Sequence, residues 1–121
     1  MLKEAWLNDN ELRELPDSIF ELKSLKTLWL SNNRMLELDK KVWDMDALAE
    51  LSLSKNRLTS LPASLAKCSN LRVLQLNDNK LVALPKSLSS LPHLEELWLN
   101  GNAVKEIPEG LYMLSNMRKP L

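Results

Sequence analysis

Leucines and other apolar residues recur along this chain with a period of 23 residues. When the chain is divided into rows of 23 residues from Leu2 onward, positions 1, 4, 6, 11, 14, 18 and 21 of every row are apolar. These positions hold 27 of the 29 leucines. The rows are 2–24, 25–47, 48–70, 71–93 and 94–116, and residues 117–121 remain as a C-terminal tail. A fixed period of this length indicates a repeat protein, in which each unit buries its apolar side chains against its neighbours.

Each row predicts one short strand followed by one short helical turn. Positions 4 and 6 alternate with more polar positions, as on a strand with one buried face. The second half of a row, such as PASLAKC at 62–68, begins with proline and then spaces its apolar residues as a short helical or 3-10 turn does. A helical bundle does not fit, because no 3.6-residue period continues past each proline. The second row has Asp39 in place of the proline, and we expect a longer helix there, over about residues 40–47.

Position 9 is asparagine in every row. An amide side chain that follows a strand can both donate to and accept from the backbone of the neighbouring turn, so stacked rows predict a ladder of such hydrogen bonds. The residues of this structural asparagine ladder are Asn10, Asn33, Asn56, Asn79 and Asn102.

The pattern LxxLxLxxNxLxxLPxxLxxLxx resembles the leucine-rich repeat. The 23-residue form with LP at positions 14 and 15 is similar to that of intracellular scaffold proteins of the Ras-associated and Scribble-like groups. The resemblance covers residues 2–116. It implies one domain with an α/β solenoid (horseshoe) fold, with a parallel β-sheet on the concave side and short helical or 3-10 turns on the convex side. It also implies a non-catalytic protein–protein interaction module, a scaffold or adaptor.

Positions 3, 5, 7, 8 and 10 of each row define the concave face, and three of the four tryptophans stand on it at position 5. Adjacent strands lie about 4.8 Å apart, so the first two tryptophans can stack, while two smaller polar residues leave a low saddle before the third. Cross-strand pairing would account for the first two tryptophans but not for the last. Exposed aromatic residues mark binding anchors, so we predict that a protein or peptide binds here. From the first row to the last, position 5 is Trp6, Trp29, Ser52, Gln75 and Trp98.

Charged residues follow both edges of this face, and as a set they can orient a partner of mixed charge. Any one of them alone fits a solvated surface equally well. The acidic edge at position 3 contains Glu4, Glu50 and Glu96. The basic edge contains Arg34, Arg57 and Lys80 at position 10, with Lys55 at position 8.

Composition excludes several other classes of protein. The chain has 16 basic and 16 acidic residues, so its formal net charge is zero. Proteins that bind nucleic acid or an anionic membrane normally have an excess of basic residues. No apolar run approaches the roughly 18 residues that span a bilayer, and the N-terminus has no secretory signal. A single cysteine fits a reducing compartment. We therefore expect a cytoplasmic protein that neither binds nucleic acid nor inserts into a membrane.

The sequence offers no set of catalytic residues, no metal ligands and no cofactor site. His93 is the only histidine, and metal ligation needs further partners. Cys68 lies at an apolar position and fits a small core side chain better than a reactive thiol. The two glycines form no phosphate-binding loop, and the serines of KSLSSL have no histidine placed as a base. Trp43 is expected to pack on a neighbouring convex turn.

The ends of the repeat array suggest a second hypothesis. The first row has the small Ala5 at position 4, and only MRKPL follows Asn116, so no capping segment is recognisable. The chain would then be a structural subunit that self-associates as a homo-oligomer, or packs into a larger assembly, through its uncapped ends.

Overall fold

A computed structural model describes residues 2–107 of the chain. These residues form one parallel five-stranded sheet, whose strands are connected by short 3-10 helices. The end of the fifth row and the tail 117–121 lie outside the described residues. The strands are β1 (Glu4–Trp6), β2 (Thr27–Trp29), β3 (Glu50–Ser52), β4 (Val73–Gln75) and β5 (Glu96–Trp98). The 3-10 helices are η1 (Asp17–Glu21), η2 (Lys40–Asp44), η3 (Ala63–Lys67) and η4 (Lys86–Ser90).

The strands pair in chain order, and the pairing register equals the repeat period. Leu28 is opposite Ala5 on one side and Leu51 on the other, each 23 residues away. Equivalent positions of successive rows are therefore stacked, so the leucines of position 4 form one buried column and the residues of position 5 form a column on the opposite face. This architecture is the predicted solenoid.

A proline precedes three of the four helices, and its ring restricts φ to the value that an extended N-cap residue needs. In the second row Asp39 stands at the N-cap instead, and its side chain accepts a hydrogen bond of 3.0 Å from the backbone N–H of Lys41. The expectation of a longer helix in this row is wrong, because η2 ends at Asp44. The row has the same length as its neighbours, so the chain must turn at the buried Met45 to reach β3.

The core lies between the sheet and the helices and is built mainly of leucine. Leu28, Leu51 and Leu74 are buried completely or almost so, as is Trp43 on η2, which packs in the convex layer as predicted. Cys68 is also fully buried. Burial raises the pKa of this thiol to about 11, with a further contribution from the charge of Asp46, so it is a protonated core side chain.

The position-9 asparagines connect each row to the one before it. Asn56 Nδ2 donates to the carbonyl of Leu53 in its own row and to that of Leu30 in the preceding row, both at 3.0 Å. Its Oδ1 accepts from the backbone N–H of Met35 at 3.1 Å. The same three kinds of bond are made by Asn33, Asn79 and Asn102. These bonds satisfy backbone groups that the bend after each strand leaves without a sheet partner.

The residue before each of these asparagines adopts a left-handed backbone conformation, with φ between 57° and 76°. Asn, Asp and Gly tolerate this region best. Four of the five rows have one of them there, and the third row has Lys55; the five residues are Asp9, Asn32, Lys55, Asp78 and Gly101.

No helix within residues 2–107 is long and apolar enough to cross a membrane.

Candidate functional site

The three position-5 tryptophans occupy the concave face, and the first two form a stacked pair. The rings of Trp6 and Trp29 have their centroids 5.4 Å apart and their planes at 9°, as expected from the strand spacing. Trp6 is 64% exposed, whereas Trp29 and Trp98 are half-buried. The pair therefore presents a rigid apolar surface at one end of the face.

The indole N–H groups of these tryptophans are not equivalent. Trp6 Nε1 donates to Glu4 at 3.0 Å, and Trp98 Nε1 donates to Glu96 at 3.4 Å; each acceptor lies two residues earlier in the chain. Trp29 has Thr27 at the matching position. Its Nε1 is buried and has no hydrogen-bond partner among residues 2–107. A buried donor without an acceptor is a local cost to the folded state.

A depression of about 130 Å³ lies beside Trp29, where the sequence predicts a polar saddle. Gln75 is half-buried and lines it, but Ser52 is only 2% exposed, so the expectation that Ser52 faces water is wrong. Ser52 pairs in register with the larger Trp29 and Gln75, which cover its short side chain, and its hydroxyl donates to Gln75 Oε1 at 2.8 Å. The lining residues are Trp29, Glu50, Leu51, Ser52, Val73, Gln75 and Glu96.

The acidic edge contains a cation that the sequence analysis missed. The guanidinium of Arg72 donates to Glu50 Oε1 at 2.8 Å and to Glu95 Oε2 at 2.9 Å. The hydrogen bond to Glu95 is the main cause of a raised pKa for Arg72. The sequence contains a signal for this ion pair, because Arg72 and Glu95 occupy the same position of adjacent rows and are therefore neighbours in the stack. This edge is partly neutralised in the middle of the sheet.

The basic edge divides into a paired and an unpaired part. Arg34 forms an ion pair of 3.1 Å with Glu11, one row before it. Lys55, Arg57 and Lys80 are exposed and form no ion pair with any residue in the range 2–107. The uncompensated positive charge of the concave face therefore lies in the third and fourth rows.

A surface cavity larger than this depression lies elsewhere, on the flank of the first three rows. It has a volume of about 850 Å³, and Leu36, which is 63% exposed, lies between two of its lining residues in the sequence. The cavity contains neither an aromatic side chain nor a histidine or cysteine. We therefore place the candidate site on the concave face, where aromatic rings and uncompensated charge lie together. The flank cavity is lined by Arg13, Glu14, Leu15, Pro16, Asp17, Met35, Glu37, Leu38, Asp39, Lys40, Ser60, Leu61 and Pro62.

A parallel sheet that gains one strand every 23 residues, with asparagine bonds between rows, defines a repeat solenoid. Two family models described as leucine rich repeat match residues 24–43 and 46–104, which together are most of the chain. The chain belongs to the leucine-rich repeat family. This fold generally serves as a protein–protein interaction module.

Solved structures of similar fold cover nearly the whole chain. A leucine-rich repeat protein of Leptospira interrogans shares 34% identity over 96% of this chain, with a TM-score of 0.90. An internalin of Listeria monocytogenes shares 24% identity over 97%, with a TM-score of 0.83, and shows the fold alone. One chain of the BIR3–SERK2 complex of Arabidopsis thaliana shares 33% identity over 92% of this chain, with a TM-score of 0.80.

The chain spans only part of these neighbours. It covers 30% of the Leptospira chain, 34% of the internalin and 63% of the matched chain of the Arabidopsis complex. No curated protein matches the chain.

Proposed function

We propose that this chain is a non-catalytic interaction module, of scaffold or adaptor type, that binds a protein or peptide on its concave face. The observation that carries the proposal is the stacked pair of Trp6 and Trp29 beside the depression over Ser52 and Gln75. The scaffold-type repeat and the cytoplasmic location stay predictions from the sequence.

The physical argument rests on the properties of a preformed aromatic surface. A stacked pair is already ordered, so a partner that covers it gains apolar contact without first immobilising those rings. A soluble chain that exposes 64% of a tryptophan leaves a large apolar area in water. The adjoining depression provides a place for one side chain of the partner. The Arabidopsis neighbour, a complex of BIR3 with SERK2, also supports this use of the fold.

Affinity capture followed by titration calorimetry with a captured partner tests the proposal. We expect Trp29→Ala to weaken binding by about 2 kcal/mol or more, close to thirtyfold, as central aromatic anchors do. Trp98→Ala should cost less, because Ser52 and Gln75 separate Trp98 from the stacked pair in the position-5 column. The Trp6, Trp29 and Trp98 triple alanine variant should abolish capture.

Leu36→Ala is the matched control, because Leu36 is an exposed apolar residue on the flank. It should leave binding unchanged. If Leu36→Ala weakened binding while Trp29→Ala did not, the partner would bind the flank and the proposal would be wrong. Each variant must show the wild-type circular dichroism spectrum and thermal midpoint within a few degrees.

The N-terminal end supports a second candidate, self-association. In the part of the chain described, β1 has a neighbouring strand on one side only, and Leu2 beside it is 54% exposed. A homo-oligomer through this end predicts a mass by sedimentation above that of the monomer, reduced to the monomer by Leu2→Glu. A monomer at high micromolar concentration would contradict this candidate.

A further inference from the structure

Three basic residues of the concave face form a contiguous group, which we call the basic cluster: Lys55, Arg57 and Lys80. The backbone N–H of Arg57 donates to Met35 of the row before it at 2.9 Å, and that of Lys80 donates to Leu58 at 2.8 Å. Arg57 and Lys80 therefore occupy one column, about 4.8 Å apart along the sheet. Lys55 lies two residues before Arg57 in the third row.

The basic cluster differs from the other position-10 cation of this face. Arg34 is neutralised by Glu11, whereas the three members of the cluster make no ion pair within residues 2–107. Asp78 occupies the same position as Lys55 one row later, and its carboxylate accepts a hydrogen bond of 3.0 Å from Asn77 Nδ2. With Asp78 counted, the group retains a net positive charge.

The backbone does not explain the presence of a lysine at residue 55. Its φ is 57°, and the equivalent residues of the other rows are aspartate, asparagine or glycine. Those residue types suit a left-handed conformation because their side chains bond locally or because they have no Cβ. Lysine has neither advantage. Unfavourable backbone positions of this kind concentrate at ligand-binding surfaces.

The basic cluster lies close to the depression. Lys55 is three residues beyond Ser52, so their Cα atoms are at most about 10 Å apart. An extended peptide covers that distance in about three residues. On the opposite rim, Glu50 and Glu96 line the depression, although Arg72 offsets part of the charge of Glu50.

We propose that the segment bound on the concave face is acidic, with an Asp or Glu side chain on the basic cluster and a large apolar side chain packed against Trp29 at the edge of the depression. This inference rests on the proposed function and specifies the chemistry of its partner. The acidic residue should stand about three positions from the apolar one. The carboxylates of the opposite rim disfavour the reversed orientation, because they would face the acidic end of the segment.

A displayed library of random dodecapeptides, selected on the immobilised chain, tests this chemistry. We expect the enriched peptides to contain Asp or Glu at that spacing from Phe, Trp, Leu or Met. The strongest peptide is then titrated against three variants. Binding should weaken by about tenfold or more in Arg57→Glu/Lys80→Glu and in Trp29→Ala. It should be unchanged in Lys23→Glu/Lys86→Glu, which makes the same change of net charge at exposed residues outside this face.

A new selection on Arg57→Glu/Lys80→Glu should enrich Lys and Arg in place of Asp and Glu. Peptides that require Trp29 but show no acidic preference, or that bind the charge-reversed variant equally well, would overturn this inference and leave the proposed function intact. Peptides that bind independently of Trp29, or no enrichment at all, would overturn both. Unchanged thermal midpoints of the variants exclude misfolding as the cause.

Discussion

The first row, 2–24, and the third row, 48–70, share the same pattern of apolar residues and asparagine, yet their equivalent residues have different environments. Leu51 is buried in the third row, whereas Ala5 in the first is half-buried. Asn56 is 7% exposed and bonds to two rows. Asn10 is exposed and donates only to Leu7 and Asn8 of its own row.

The difference shows that a repeat position has no fixed energetic value. An identical residue contributes through the neighbouring row that covers it, and the first row has such a neighbour on one side only among the residues described. In a stack where each unit contacts only its neighbours, stability is the sum of row and interface contributions. The first row should therefore unfold locally before the third.

Amide hydrogen exchange should show the largest effect, at a matched pair of hydrogen bonds. Leu7 N–H donates to Trp29 and Leu53 N–H donates to Gln75, both at 2.8 Å. We expect Leu7 to exchange about a hundredfold faster or more, because it needs only local opening of the first row. Residues 2–20 should follow Leu7, whereas Leu74 and Leu76 should follow Leu53. Equal protection in a proven monomer would show that the first row is as stable as the third.

Replacing the position-9 asparagine should lower the free energy of unfolding more in the third row than in the first row. Asn56→Ala leaves the buried N–H of Met35 and the carbonyl of Leu30 without a partner, and should cost about 3 kcal/mol. Asn10→Ala should cost less than about 1 kcal/mol, as exposed substitutions do. Urea unfolding measures both, with Lys67→Ala as the surface control. If Asn56→Ala matched Lys67→Ala, the bonds between rows would not stabilise the fold.

The thiol of Cys68 predicts a pH dependence confined to alkaline conditions. Its pKa of about 11 in the folded chain is above the value of about 8.5 in an unfolded chain. Its contribution is therefore fully present below about pH 8.5 and is lost as the pH rises toward 11, by about 1.4 kcal/mol per pH unit. Urea unfolding at several pH values should show this slope in the wild type and not in Cys68→Ala.

Thiol labelling compares how accessible the core is in the first row and in the third row. Leu22 is the first-row equivalent of Cys68 and is only half-buried. Leu22→Cys in a Cys68→Ala background should react with a thiol reagent at pH 8 much faster than native Cys68. Comparable rates would mean that the core is equally closed in both rows.

The smallest effect concerns the stacked tryptophans of the first and second rows. Trp29→Phe removes an indole N–H that has no acceptor in the described part of the chain, and it keeps the ring stack. It should therefore be neutral or stabilise the fold by up to about 1 kcal/mol. Trp6→Phe removes the exposed bond to Glu4 and should cost up to about 0.5 kcal/mol. Thermal midpoints measure both. A Trp29→Phe variant less stable than Trp6→Phe would show that its N–H has a partner in solution.

Much of this fold follows from the sequence, because the repeat period and the sheet register are the same number. Once residues 23 apart are neighbours, the columns of leucine, asparagine and tryptophan follow without further information, and the stacking of Trp6 on Trp29 could be predicted. The position of the short helices was also predictable from their prolines. The helix after Asp39 was predicted to begin where it does, but its length was not predicted, because an N-cap carboxylate can substitute for proline without lengthening the helix.

Only the tertiary structure decided how the side chains of the concave face share their partners. Ser52 is covered because two larger neighbours flank it, and Arg72 reaches Glu50 and Glu95 because its long side chain spans adjacent rows. The repeat pattern of the sequence assigns each residue to a column of the sheet. It does not determine how far the side chain extends or which rotamer it adopts. Packing between rows sets the reach and the rotamer of each side chain. It therefore decides which cations of residues 2–107 remain without a counterion, and which indole N–H groups remain without an acceptor.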